Sequence, residues 1–306
     1  MVRRALGNHH VRPDTLLVTS ETTKQTVPVA EETESRRETT EQGDARESGT
    51  LQGDARESGT LQGDAREAGT LRELIEGARH VLFDFDGPIC RLFAGRPAAG
   101  IARDQVDWLD AQGLGDVLTE EERADADPHA ALRRLGRARP DSDLVLEMEN
   151  RLTEQELRAV RSAWPTEHAD PLIRTWSASG ARLAITTNNS AEAARRYIAG
   201  RGLSDCFEPH IYGRTENLAR LKPDPYCLNR AMQAMGASPG TTLMIGDAAT
   251  DLDAAREAGV AFLGYARHAR KEAALRQAGA RQVTGTLEPI IHILRHRSGG
   301  VGSQLP

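Results

Sequence analysis

The sequence predicts an α/β protein whose core is a parallel sheet with helices on both faces. Beyond residue 80, short runs that are apolar throughout recur along the chain, as strands buried on both sides require. Between them lie stretches with apolar residues at three- and four-residue spacing, the pattern of a helix with one buried face. Alternation of the two element types points to crossover helices packed on a parallel sheet. In such sheets ligands gather at the carboxyl ends of the strands.

The elements follow in chain order. Residues 1–70 contain no aromatic residue or cysteine. They repeat the decapeptide Gln-Gly-Asp-Ala-Arg-Glu-Ser-Gly-Thr-Leu from Gln42, from Gln52 and, with Ala68 in place of Ser, from Gln62. So little apolar surface cannot offset the entropy of ordering, and one strong apolar residue per repeat is too few for a stacking unit, so a disordered arm is expected. Residues 71–79 suit a short helix leading into a first strand at 81–85. From Pro88 to Pro171 the pattern is almost wholly helical, with elements expected at 98–111, 128–137 and 143–163. An insertion placed directly after the first strand would stand over the carboxyl ends of the sheet as a lid. Strands are then expected at 183–187, 242–245 and 261–264, with weaker candidates at 209–212 and 281–283. Helices are expected at 191–200, 225–235, 251–258, 271–278 and 287–295. The resulting division is an arm over 1–70, an α/β core over 71–87 and 172–296, a small all-helical cap over 88–171 and a flexible tail over 297–306.

With 306 residues, the chain is long enough for one sizeable core and a smaller second one. A net charge of −6 offers no broad basic field for nucleic-acid phosphates or anionic lipid, so no nucleic-acid partner is expected. No apolar run approaches the length of a membrane-spanning helix, and a soluble cytoplasmic protein is the default expectation. Cys90, Cys206 and Cys227 have no metal-ligand spacing and are odd in number, which suits reduced core thiols. Trp108, Trp164 and Trp176 read as core of the helical insertion, and Arg133, Arg134, Arg137 and Arg139 as a solvated helix face, with contact to an anionic part of a substrate as the alternative.

Four segments at strand ends carry the chemistry. The first strand ends in Asp84-Phe85-Asp86-Gly87. Side chains alternate along a strand, so Asp84 and Asp86 point the same way, roughly 7 Å apart, while Phe83 and Phe85 face the opposite side. Two acids aimed at one spot persist most readily with a cation between them or with one of them protonated. A second strand runs into Thr186-Thr187-Asn188-Asn189-Ser190 and then a helix, a place suited to phosphate oxygens. Lys222, one of only three lysines against a large excess of arginine, precedes Pro223 and suggests a site for a compact point charge. The fourth segment, Gly246-Asp247-Ala248-Ala249-Thr250-Asp251, ends another apolar strand in two acids.

In this order and at these spacings, Asp84-Phe85-Asp86-Gly87-Pro88, Thr187-Asn188, Lys222-Pro223 and Gly246-Asp247 through Asp251 resemble the four motifs of the haloacid dehalogenase superfamily of phosphatases. The resemblance covers residues 81–294 and implies a Rossmann-like core with a helical cap after the first motif, as in phosphoglycolate phosphatase-like members. It implies that Asp84 is a nucleophile forming an aspartyl-phosphate and that Asp86 is the general acid and then base. Thr187, Asn188 and Lys222 would hold phosphoryl oxygens. Mg²⁺ would be bound by Asp84, the backbone carbonyl of Asp86 and Asp247, with Asp251 orienting this shell or Lys222. Pro88 departs from the commoner Thr or Val.

The implied activity is Mg²⁺-dependent hydrolysis of a small phosphate ester. Members that cleave carbon–halogen bonds lack the second aspartate, and those that cleave phosphonoacetaldehyde need a lid lysine, absent from residues 88–171. A phosphomutase using the same phosphoenzyme is the nearest alternative, and a non-catalytic interaction protein on the same scaffold is the alternative of another class. No GxxxxGK[ST] loop for a nucleotide is present.

Overall fold

The computed structural model describes residues 71–140 and 142–298. The repetitive arm expected over 1–70 and most of the expected tail lie outside them. Residues 71–77 form α1, and β1 (His80–Phe83) follows. Next come β2 (Cys90–Arg91), α2 (Ala98–Ala111), α3 (Glu120–Ala124), α4 (Ala130–Ala138), α5 (Asp143–Val160) and β3 (Trp164–Pro165). The chain continues through α6 (Ala169–Ala178), β4 (Arg182–Thr186), α7 (Ala191–Gly200), α8 (Ser204–Phe207), β5 (Ile211–Tyr212) and α9 (Tyr226–Met235). It closes with β6 (Thr242–Gly246), α10 (Ala249–Glu257), β7 (Ala261–Tyr265), α11 (Ala269–Gln277), β8 (Val283–Thr284) and α12 (Glu288–Ser298).

The main sheet has six parallel strands in the order β5-β4-β1-β6-β7-β8. Strand β1 sits between β4 and β6, with Phe83 opposite Ile185 on one side and Ile245 on the other. Alternation along β1 divides the core. Val81 and Phe83 join a cluster with Leu172, Ile173 and Trp176 of α6, Ile198 of α7 and Ile290 of α12. Leu82 faces the other way, onto Leu228, Ala231 and Met232 of α9 and Ala254 and Ala255 of α10. Both faces of the sheet are therefore dry, which is why its strands read as unbroken apolar runs.

The insertion after β1 builds a separate apolar cluster from Ile101, Leu109, Leu132, Leu135, Met148 and Leu152. Leu218 and Leu221, from the loop after β5, pack into the same cluster. Gly136 of α4 permits that approach, since a Cβ there would lie 2.8 Å from Leu218 Cδ1. Thr119 caps α3 with a reciprocal pair of hydrogen bonds to Glu122, as a capping box requires.

Several elements depart from expectation. The insertion is not wholly helical: β2 and β3 form a short antiparallel ribbon where the chain leaves and rejoins the sheet layer, pairing Cys90 with Pro165 and Arg91 with Trp164. Two-residue strands are too short to leave a periodic signal. Helix α6 runs across the expected boundary at Pro171, which lies in its first turn, where a missing N–H costs nothing. Helix α12 continues to Ser298, past the expected start of the tail. Trp176 belongs to the core under the sheet, and Trp164 is exposed beneath the Arg91 guanidinium, so only Trp108 packs in the helical layer. Cys90 and Cys227 are buried free thiols, whereas Cys206 is half-buried.

Phe83 meets Trp176 and Phe207 edge-on at 6.0 and 6.1 Å between ring centroids. Phe83→Ala leaves a cavity at the centre of the sheet and is expected to lower stability by about 3–5 kcal/mol, measured by urea denaturation followed by tryptophan fluorescence.

Candidate active site

The carboxyl ends of β1, β4 and β6 lie side by side, and the chain turns away from the sheet just beyond them. Asp84 extends the ladder by one bond, its N–H donating to the Ile245 carbonyl at 2.9 Å. The backbone then folds back on itself: Cys90 N donates to the Phe85 carbonyl and Gly87 N to the Cys90 carbonyl. Asp86 Oδ1 accepts from Leu92 N at 2.8 Å. Phe83 and Phe85 enter the core, and Asp84 and Asp86 open on the same cavity, as the alternation predicts.

Gly87 adopts φ +138°, a conformation that side chains disfavour, and a Cβ there would lie 2.3 Å from Asp247 Cγ. The turn thus lets the loops after β1 and β6 come together. Asp84, Asp247 and Asp251 are buried, with carboxylate oxygens within 4.8 Å of one another.

Lys222 lies at the centre of the arrangement. Its buried ammonium donates to Asp84 Oδ1 at 2.8 Å and to the Thr186 carbonyl at 2.9 Å, and lies 2.6 Å from Asp251 Oδ1. Burial opposes its charge, but the Asp251 and Asp84 carboxylates outweigh burial and raise its pKa above the ordinary lysine value. Asp251 Oδ2 accepts from the N–H groups of Asp247 and Ala248, each at 3.0 Å, so this carboxylate holds both the lysine and the start of α10. Burial raises the Asp251 pKa against the charge of Lys222.

The loop after β4 is equally constrained. Thr187 is buried, and its hydroxyl donates to Asn189 Oδ1 while accepting from Asn189 N, both at 3.1 Å. Asn188 clamps the Lys222 peptide: Nδ2 donates to the Lys222 carbonyl at 3.1 Å and Oδ1 accepts from Lys222 N at 2.8 Å. Asp84, Asp86, Thr187, Asn188, Lys222 and Asp251 all line one cavity of about 270 Å³. Asp247 stands beside it against Gly87.

Burial is the main influence on Asp86, pushing its pKa up to about 6; the Leu92 N–H opposes this and the neighbouring negative charge of Asp84 adds to it. Below that value it holds a proton, one of the two ways for the acid pair to persist. The other, a cation, is also catered for. An all-oxygen set of closely spaced carboxylates suits a hard divalent ion such as Mg²⁺. Asp84 and Asp247 fit that role. Asp251 has both oxygens committed to Lys222 and to backbone N–H groups, which suits an orienting group.

The helical layer supplies the opposite wall through Phe93, Asp127, His129 and Arg133. Asp127 is gripped by His129 Nδ1 at 2.9 Å and Arg133 Nη2 at 2.5 Å. Burial lowers the His129 pKa, but Asp127 and Glu156 outweigh it and raise it overall. Arg133 thus separates from Arg134, which lies 3.4 Å from Glu122 outside the cavity.

Sequence reasoning gave no role to Lys271, Glu156 or Arg214, and none to Asn189 by itself. Lys271 of α11 forms an ion pair with Asp247 Oδ2, and burial lowers its pKa against the attraction of Asp86 and Asp84. The scarcity of lysine that singled out Lys222 applied equally to Lys271. Glu156 occupies the buried stripe of α5 with Val145, Met148, Leu152 and Ala159. An acid at a position in register with that apolar spacing was a legible anomaly.

A model of the haloacid dehalogenase-like hydrolases matches residues 78–259, more than half of the chain. A phosphoglycolate phosphatase of Rhodospirillum rubrum is 29% identical over 196 residues, covering 61% of this chain and 80% of the relative. A pyrophosphatase of Halalkalibacterium halodurans is 33% identical over 104 residues, which is 33% of this chain and 47% of the relative. A haloacid dehalogenase-like family protein from Streptococcus pneumoniae shares the fold, with a TM-score of 0.51 at 17% identity, covering 72% of this chain and 99% of that one. Among the described residues no helix is long and apolar enough to cross a membrane.

Gly87→Ala is expected to displace the Asp247 carboxylate and to weaken divalent-cation binding at least about tenfold, measured by calorimetric titration without substrate. Burial raises the Glu156 pKa, but the charge of Arg214 outweighs it and brings it down from 4.5 to about 2. The stabilisation is complete above the unfolded value and is lost as pH falls towards the folded one. The melting temperature should therefore fall between pH 4.5 and about 2, and fall less steeply in Glu156→Gln.

Proposed function

The chain belongs to the haloacid dehalogenase-like hydrolases, and on that premise we propose that it is a phosphomonoesterase acting on a small phosphorylated metabolite through an aspartyl-phosphate on Asp84. The observation that carries this reading is the convergence of Asp84, Asp86, Thr187 and Lys222 on one small cavity. The phosphoglycolate phosphatase and pyrophosphatase names of the relatives support phosphate-ester chemistry, with 2-phosphoglycolate the first substrate to try.

In this reading Asp84 attacks phosphorus with the carboxylate oxygen that Lys222 does not hold. Asp86, carrying its proton, gives it to the departing alkoxide as the ester bond breaks. The Asp86 carboxylate then takes a proton from water, which attacks the aspartyl-phosphate, releases inorganic phosphate and returns Asp84 to its starting form. Thr187 and the Lys222 ammonium stabilise charge on the phosphoryl oxygens. Asp84, the Asp86 carbonyl and Asp247 would hold Mg²⁺, which supplies further electrostatic stabilisation of the phosphoryl charge when bound. We assign the helical insertion, about residues 88–168, the role of a cap that closes the cavity over the substrate.

Asp84→Asn should lower phosphate release from 2-phosphoglycolate or p-nitrophenyl phosphate by at least about 10³-fold while preserving the fold; retained turnover rejects the assignment. Release of inorganic phosphate, and not an isomeric ester, separates hydrolysis from a mutase reaction. Because the proton on Asp86 is needed by the leaving group, kcat/KM should decline as pH rises through about 6. A profile flat across that region would remove Asp86 from the acid role.

A further inference from the structure

The loop that carries Thr187 is gripped from outside the sheet. Glu156, near the end of α5, is fully buried with both oxygens occupied. Oε1 accepts from Asn189 Nδ2 and from Arg214 Nη1, each at 3.0 Å. Oε2 accepts from Ser190 N at 2.9 Å and from Arg214 Nη2 at 3.1 Å. The Arg214 side chain is buried too, and Nη1 also donates to the Asn188 carbonyl at 3.0 Å. Its remaining donors run back to α5, Nε to Glu149 Oε1 at 3.1 Å and Nη2 to Thr153 Oγ1 at 2.8 Å. The peptides on both sides of Asn189 are therefore bracketed by one fork-to-fork ion pair, and the Asn189 amide passes the constraint on to the Thr187 hydroxyl.

We propose that Glu156 and Arg214 are positioning residues that couple the docking of the helical layer to the phosphate-binding geometry of residues 187–190. The proposal rests on the phosphatase reading. An apolar contact would hold α5 against the sheet layer at least as well, because a buried ion pair is seldom more stabilising than a well-packed apolar one. What the pair adds is direction: a planar guanidinium and a carboxylate hold named backbone and amide groups at fixed angles. His129, 3.4 Å from Glu156 Oε1 and bonded to Asp127, extends the same network to the cavity wall. Asp127, His129 and Arg133 line the same cavity as Thr187, so the network reaches that cavity from the helical layer as well as from the sheet.

The test compares Glu156→Gln and Asn189→Ala with the wild type by calorimetric titration of inorganic phosphate in the presence of Mg²⁺ and of Mg²⁺ alone. Phosphate affinity is expected to fall roughly 10- to 100-fold in both variants while Mg²⁺ affinity stays within about twofold, since Asp84 and Asp247 are held by other strands. Unchanged phosphate affinity in a cooperatively folded variant overturns the proposal, and so does parallel loss of both affinities, the mark of general distortion. Should Glu156→Gln not fold, Asn189→Ala decides alone, because it removes the amide that joins Glu156 to Thr187 without stranding a charge. A wild type that neither binds phosphate nor hydrolyses any ester sinks the phosphatase reading itself; an active wild type with unaltered variants sinks only the coupling.

Discussion

A single buried ammonium holds the site together. Taking the Lys222 charge out of water would cost several kcal/mol if it stood alone. Three acceptors offset that cost: Asp84 from the end of β1, the Thr186 carbonyl from the end of β4 and Asp251 from the helix after β6. The strand order sets β1 between β4 and β6, so these three acceptors meet around one ammonium. Asn188 reinforces the arrangement by clamping the Lys222 peptide on both its N–H and its carbonyl. The same contacts leave carboxylates facing one cavity, which links the strand order directly to the chemistry.

The helical layer meets the sheet layer in two different ways. Leu218 and Leu221 bury apolar surface in the cluster formed by α2, α4 and α5, a contact that sets proximity and tolerates small shifts. Glu156 and Arg214 add a polar contact that tolerates few, because each hydrogen bond weakens steeply with angle. Packing brings the layer to the cavity, and the ion pair fixes the loop that follows β4 beside it.

Much of the architecture was legible in the sequence. The apolar runs at 183–187, 242–245 and 261–264 became strands within a residue at each end, since burial on both faces demands such runs. Helices at 98–111 and 191–200 matched residue for residue. The acids at 84 and 86, the hydroxyl at 187 and the lysine at 222 line one cavity, and alternation along the first strand anticipates the shared aim of the two acids. The β2–β3 ribbon escaped notice because pairing between residues far apart in the chain needs no local pattern.

Local sequence was sufficient for the sheet, the order of its motifs and the aim of Asp84 and Asp86, because strand alternation and helical periodicity are properties of adjacent residues. It could not determine that Glu156 would pair with Arg214, 58 positions later, or that Lys271 would reach Asp247. A buried charge takes whichever opposite charge the fold brings near, and that choice is made only when distant elements pack together.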